Sequence, residues 1–200
     1  LAAQAPDQPI APSTAQVATS VQVSWTLPTA NHQPITDVEL FLGTALGAVA
    51  ADLTLCDARA GTTAFTNGYC VIELDNFIAP PYDYAVGELL TFKVRTKNSR
   101  GWSALSPANT DGVNAQATPV KMAVPFTDGA FTTENSLYIE WTPLTTQSEI
   151  GGSAITSYWL QWDFGTGDDP NTATTWYDVI GAGPNSLDTS ITLTSDVNAG

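Results

Sequence analysis

The sequence predicts an all-β protein made of two tandem β-sandwiches, the second of them incomplete. Three observations lead there. Val, Ile, Thr and aromatic residues fall in short alternating runs bounded by Gly, Pro, Asn and Asp, a strand-and-turn pattern in which no helix is visible. One pattern of strand, Pro-bearing turn and second strand occurs twice along the chain. The length of 200 residues, 43% of them hydrophobic, suffices for two packed cores.

The first copy of the pattern runs Val21-Gln22-Val23-Ser24-Trp25, passes Pro28 and a polar loop, and resumes at Pro34-Ile35-Thr36-Asp37-Val38-Glu39-Leu40-Phe41-Leu42. The second runs Leu137-Tyr138-Ile139-Glu140-Trp141, passes Pro143, and resumes at Ala154-Ile155-Thr156-Ser157-Tyr158-Trp159-Leu160-Gln161-Trp162. Alternate side chains on a strand share a face. Val21, Val23 and Trp25 are therefore expected in one core, and Leu137, Ile139 and Trp141 in the other, with Trp25 and Trp141 equivalent. Val38, Leu40 and Leu42 face inward in the first copy, and Tyr158, Leu160 and Trp162 in the second. A further strand at 90–98 turns Leu90, Phe92 and Val94 inward and Lys93, Arg95 and Lys97 outward. Those three are half of the 6 Lys and Arg residues in the chain, a concentration that asks for a cause.

At these residues the chain resembles the fibronectin type III family. The resemblance rests on the early-strand Trp, the Pro34-Ile35-Thr36 start of the third strand, and a Pro linker after the last strand. It also rests on the run Phe92-x-Val94-x-Thr96-x-Asn98-x-x-Gly101-Trp102-Ser103. It covers nearly the whole chain and implies Ig-like sandwiches of seven strands, with A, B and E facing C, C′, F and G. Two departures stand out. Leu90 occupies the position where the family usually has a corner Tyr, so the usual hydroxyl-to-backbone tie is expected to be absent. A long insertion, 75–88, separates strand E (70–74) from strand F and contains Pro80-Pro81-Tyr82-Asp83-Tyr84. With the flanking Cys pair, this insertion resembles repeats of very large surface proteins of protists, of ciliate or algal type.

Domain edges follow from the same comparison of segments. Ala3-Gln4-Ala5-Pro6 matches Ala115-Gln116-Ala117 and the Pro119 linker, so 1–5 reads as the tail of a preceding domain. Residues 6–118 form a complete domain with the long insertion between strands E and F. Residues 119–200 form a second domain lacking strands F and G, with strand E near 189–194 and Gly200 standing where Gly87 stands. Leu1 is no native initiator, so the window is expected to open inside a longer chain. A sandwich without F and G exposes the edge of strand C. Completion by continuation of the same chain is the expectation, and strands donated by another chain the alternative.

Cys56 and Cys70 flank a Gly/Thr/Asn-rich stretch, 57–69, that reads as a hairpin or loop. A disulfide closing a loop of this size stabilises by about 3 kcal/mol in the chain-entropy model. The alternative is a pair of buried thiols. A zinc site would need further ligands, and the only histidine, His32, sits in the loop joining strands B and C.

Catalytic chemistry finds little purchase. His32 has no nucleophile in a catalytic setting nearby, and no Gly-rich loop opens a helix. Asp168 and Asp169 lie in a turn-like segment. With Asp163 they are weak calcium candidates, since carboxylates are hard ligands, but the spacing does not match an EF-hand and an ordinary loop is the expectation. No other cofactor is expected.

For Lys93, Arg95 and Lys97 two readings compete. One is a salt-bridge ladder to Asp37 and Glu39, the outward residues of strand C. The other is a basic strip for an acidic or sulfated glycan, or a guanidinium stacked on Trp102, as in the Trp-Ser motif of cytokine receptors that residues 101–106 resemble. Trp159 is expected to face outward, and Trp176 and Tyr177 follow in the next strand. With Trp102 these aromatics are candidate interface residues, for a sugar, a neighbouring domain or another chain.

Acidic residues outnumber basic ones 20 to 6, giving a formal charge of −14, which repels nucleic acid and anionic membranes. No run approaches the roughly 20 apolar residues of a membrane span. Thr and Ser beside Pro, as at 12–14, are candidates for O-linked glycosylation, and no Asn-x-Ser/Thr sequon occurs. The expected function is non-enzymatic: a structural repeat of an extracellular filament, surface coat or cell-surface hair, whose partners are other copies of itself or neighbouring repeats. The alternative is an adhesion or receptor ectodomain, or a carbohydrate-binding accessory module.

Overall fold

The computed structural model describes residues 2–163 and 176–194, and the chain divides into two compact units, Leu1–Ala117 and Thr118–Gly200. The first unit carries one three-stranded and one four-stranded antiparallel sheet. Strands β1 (Ser13–Val17), β2 (Ser20–Ser24), β3 (Asp37–Gly43) and β4 (Val49–Ala51) are followed by helix α1 (Thr63–Asn67) and strand β5 (Tyr69–Glu73). Helix α2 (Asp75–Ile78) and strands β6 (Phe92–Asn98) and β7 (Gly101–Trp102) complete it. One sheet has the order β1-β2-β5 and the other β4-β3-β6-β7. This is the A-B-E and C′-C-F-G arrangement of a fibronectin type III-like sandwich.

Alternation builds the core between the sheets. Val21 and Val23 of β2, Val38, Leu40 and Leu42 of β3, and Phe92 and Val94 of β6 are all buried, with Trp25 and Leu90 packed beside them. The disulfide joins Cys56 to Cys70 with Cα atoms 5.8 Å apart. Cys70 lies opposite Val23 in the β2–β5 register, so the bridge ties the 57–69 segment to the edge strand of a sheet.

Two expectations need correction. No helix is visible in the sequence, yet two short ones form. In α1 the Thr62 hydroxyl accepts the Phe65 N–H at 3.2 Å, and Gly68, at φ 77°, donates its N–H to Ala64 O at the other end. Five capped residues are too few to show a hydrophobic period, and the stretch between the cysteines is therefore not simply a loop. The second concerns the hydroxyl-to-backbone tie that Leu90 cannot supply, which comes instead from the insertion at 75–88. It folds inward, placing Phe77, Tyr82 and Tyr84 in the core, with the Phe77 ring 5.7 Å from that of Phe92. Tyr84 also supplies a hydroxyl-to-backbone tie from a new place: its oxygen accepts the Thr91 N–H at 3.3 Å.

The segment at the start is held to the first unit. The Asn31 amide donates to Ala5 O at 2.8 Å, and the buried Asn98 amide donates to Gln4 O at 2.8 Å and Ala30 O at 3.0 Å. Residues 4 and 5, expected as the tail of a preceding domain, are thus hydrogen-bonded into this one.

Among the described residues the second unit repeats the three-stranded sheet of this plan and one strand pair of the other sheet. Strands β8 (Phe126–Thr127), β9 (Leu137–Glu140), β10 (Leu160–Trp162), β11 (Tyr177–Ile180) and β12 (Ser190–Leu193) form two sheets, β12-β9-β8 and β10-β11. Trp141, 6% exposed, is its central buried side chain, and the Tyr158 ring lies 6.4 Å from it.

Candidate interaction surface

The antiparallel register of β3 and β6 sets Asp37 opposite Lys97, Glu39 opposite Arg95 and Phe41 opposite Lys93. All six point away from the core, because Val38, Leu40, Val94 and Thr96 between them are buried. Of the three basic residues, Arg95 alone forms an ion pair among the described residues: its Nε donates to Glu39 Oε2 at 2.6 Å. Asp37 accepts instead from Ala60 N–H at 3.4 Å and the Thr36 hydroxyl at 3.2 Å. Lys97 lies over the Trp102 ring at 5.4 Å, and Lys93 faces an aromatic rather than an acid.

Both sequence readings meet in Arg95. Its guanidinium sits 5.0 Å from the Phe41 ring centre and 4.6 Å from that of Trp102, while it holds Glu39. β7 brings Trp102 there by pairing it with Lys97. The sheet therefore presents a half-buried Phe41–Arg95–Trp102 stack with Lys93 and Lys97 on either side, and Arg100 exposed at the β6–β7 turn. Four of the chain's 6 Lys and Arg residues lie on this one strand and turn. Sequence reasoning misses Phe41 and Arg100, although the Asp37-x-Glu39-x-Phe41 alternation carries the first.

Along β6 a run of polar side chains supplements the backbone bonds that Ser103 and Ser106 N–H donate to Thr96 O and Val94 O. The Ser103 hydroxyl accepts Thr96 N–H at 3.1 Å, the Ser106 hydroxyl accepts Val94 N–H at 2.9 Å, and Asn109 Oδ1 accepts Phe92 N–H at 2.7 Å. A spacing of three residues on one segment thus meets a spacing of two on β6. The serines of the 101–106 motif hold the basic strand in place.

In the second unit, Trp159 is 60% exposed and donates its indole N–H to Asp178 Oδ1 at 2.9 Å, where the Gln161 amide also donates at 3.0 Å. Tyr177 is exposed and Trp176 is half-buried with its indole N–H unpartnered. Trp141, Tyr158, Leu160, Trp176 and Val124 line a cleft of about 490 Å³. The corresponding strand of the first unit, β3, is flanked by β6, whereas among the described residues β10 pairs only with β11.

Acid–base behaviour is shifted where loops are tied. The Thr54 hydroxyl, with the Tyr82 hydroxyl and the N–H groups of Thr54 and Leu55, holds Asp52 below the usual carboxylate range, against partial burial. Burial, then the bond to Asp52, pushes the Tyr82 phenol above its ordinary value. Arg59 draws Asp57 down to about 2. Asp52 and Asp57 each accept an N–H two residues on and so close a turn, and the Tyr82 hydroxyl donates to Asp52 from the insertion at 2.8 Å. His32 is exposed in the 28–33 loop at φ 66°.

Among the described residues no group of three His, Cys, Asp or Glu is placed to hold a metal ion, and no helix is long and apolar enough to cross a membrane. Of the calcium candidates, Asp163 follows β10, while Asp168 and Asp169 lie outside the described residues.

No protein-family model and no curated protein matches the chain. Among solved structures it is similar to the FN1–FN3 domains of chicken CNTN1, at 14% identity and a TM-score of 0.41, over 95% of this chain and 56% of that one. It is also similar to a set of titin domains, at 16% identity and a TM-score of 0.38, over 55% and 32%. The twitchin kinase region from C. elegans matches at 18% identity and a TM-score of 0.38, over 52% and 16%. The chain thus spans less than two thirds of each of these structures.

Proposed function

We propose that the chain is a non-catalytic, extracellular structural module, one stretch of a filament, surface coat or cell-surface hair that works through domain–domain and chain–chain contacts. The observation that carries this reading is the repetition of one sandwich plan in two consecutive units, each built around an equivalent strand-end tryptophan, Trp25 and Trp141. The disulfide supports an oxidising compartment, since such bonds persist outside the cytosol. Nothing matched ties the chain to the protist surface repeats that its insertion resembles. Sedimentation velocity and negative-stain microscopy on the 200-residue chain test the reading. Concentration-dependent growth into elongated particles is expected, and a chain that stays monomeric up to about millimolar concentration sinks it.

A second reading, an adhesion or carbohydrate-binding module, is favoured by exposed Trp159 and the basic strand. It predicts retention of the monomer on a glycan array, lost in Trp159→Ala or Lys97→Glu.

A further inference from the structure

The two units differ in charge. The first holds ten Asp and Glu against five Lys and Arg, and the second holds ten against Lys121 alone. Within the first unit, Lys93, Arg95, Lys97 and Arg100 gather on β6 and its turn, leaving Arg59, which is bound to Asp57, as the remaining cation. On a chain this acidic, most pairings of two copies place like charges together, which opposes association. The outer face of β3, β6 and β7 is the exception.

That face has the make-up of a docking surface. Phe41 and Trp102 supply half-buried aromatic area, Arg95 locks them in position, and Lys93 and Arg100 have no ion-pair partner among the described residues. Arginine and aromatic residues are enriched at protein interfaces. The β10–β11 region offers the complement. Trp159 stands 60% exposed beside Asp178, an aromatic next to an acid where the first unit has aromatics next to bases. The strand alignment sharpens this. Trp159 occupies in its repeat the position that Glu39 holds in the first, and Asp178 beside it forms no ion pair among the described residues.

We infer that the Lys93–Lys97–Arg100 face of one copy docks on the Trp159–Asp178 face of another, a heterologous contact between unlike units. This rests on the self-assembly reading above and names the surfaces that carry it. A contact between two different patches does not exhaust itself in a dimer. Each copy keeps one free face of each kind, so association propagates into open chains unless the rotation closes a ring. Such a contact is also steered by charge and therefore weakens with salt.

The test is a charge swap in the whole chain. Wild type should show concentration-dependent growth by sedimentation velocity in about 20 mM salt, and lose it at about 0.5 M. Lys93→Glu/Lys97→Glu and Asp178→Lys should each weaken association at least about tenfold, since each sets like charges together. An equimolar mixture of the two variants should recover it, because each then presents the face the other lacks. Circular dichroism checks that both variants stay folded, and Trp159→Ala gives an uncharged route to the same loss. Growth of both variants like wild type, or no recovery in the mixture, overturns this interface and leaves the self-assembly reading standing. A wild type that stays monomeric removes both, and one that is monomeric yet retained on dextran sulfate through β6 assigns the strip to glycans instead.

Discussion

Phe92 and Asn109 are joined edge to edge: Asn109 Oδ1 accepts the Phe92 N–H at 2.7 Å, and its amide donates to Leu90 O at 2.9 Å and Asp111 O at 3.0 Å. The side chain is buried, so it does for strand β6 what a neighbouring strand's backbone would do. Asn109→Ala leaves a buried N–H and two carbonyls short of a partner. We expect a loss of about 1–3 kcal/mol in urea unfolding, with the slope unchanged. Ser106→Ala, which frees the Val94 N–H, should cost a similar amount. A near-neutral result for both would show that water or a backbone shift can replace them.

Tyr84, Thr91 and Gly43 meet at one point. The Tyr84 hydroxyl lies 2.9 Å from Thr91 Oγ1, and Gly43 donates its N–H to Thr91 O at 2.8 Å. A Cβ added to Gly43 would overlap Thr91 Oγ1 and come within 2.7 Å of the Tyr84 oxygen and 2.9 Å of Thr91 O. Tyr84→Phe removes the hydroxyl's contacts with both Thr91 Oγ1 and Thr91 N–H and should cost about 1 kcal/mol. Gly43→Ala must push backbone aside and should cost more, about 1–3 kcal/mol. Equal effects in a thermal melt would mean that the close approach of β3 to residue 91 matters less than the hydroxyl.

The sequence and the structure agree where burial alternates. Val21, Val23, Val38, Leu40, Phe92 and Val94 are legible because a strand buries every second residue, and the solvent face of β6 is legible for the same reason. Phe77, Tyr82 and Tyr84 are not, since an irregular Pro-bearing segment has no period from which to read a face. Ser103, Ser106 and Asn109 are hidden differently. Ser and Asn are ordinarily exposed, and their burial follows from β6 needing acceptors along an edge where no backbone strand supplies them. At the candidate surface, the sequence offered both the Glu39 pairing and the stack on Trp102 for Arg95, but not the second ring, Phe41, nor the placing of Lys97 over Trp102. That depended on where β7 turns back.

Asp52 and Tyr82 shape the pH limits of stability. Asp52 sits lower in the folded state than in the unfolded chain, so its contribution is complete above about pH 3.9 and disappears as pH falls through the folded value. Tyr82 sits higher, so its contribution is complete below about pH 10 and is lost as pH rises past that point. Asp52→Asn should flatten both limbs of a midpoint-versus-pH curve. It removes the carboxylate that titrates in acid and the charge that helps keep Tyr82 protonated. Asp57 and Glu149, also held low, retain their share of the acid limb. Identical acid and alkaline limbs in the variant and the wild type would rule this pair out.

The Arg95 stack separates geometry from charge. Its ion pair with Glu39 is partly exposed, so a double-mutant cycle on the two should give a coupling of about 0.5–1 kcal/mol, reduced by salt. The contacts with Phe41 and Trp102 need a planar group. A lysine in its place would keep the charge but could not lie flat between two rings while holding a carboxylate. Arg95→Lys should therefore lose about 1 kcal/mol that salt does not screen, and Trp102→Ala a comparable amount. Lys93→Ala, one pleat away on the same face with no acidic partner in register, should stay within about 0.5 kcal/mol. If Arg95→Lys proved neutral, or Lys93→Ala as costly as Arg95→Ala, the stack would be incidental and the face would hold together through charge alone.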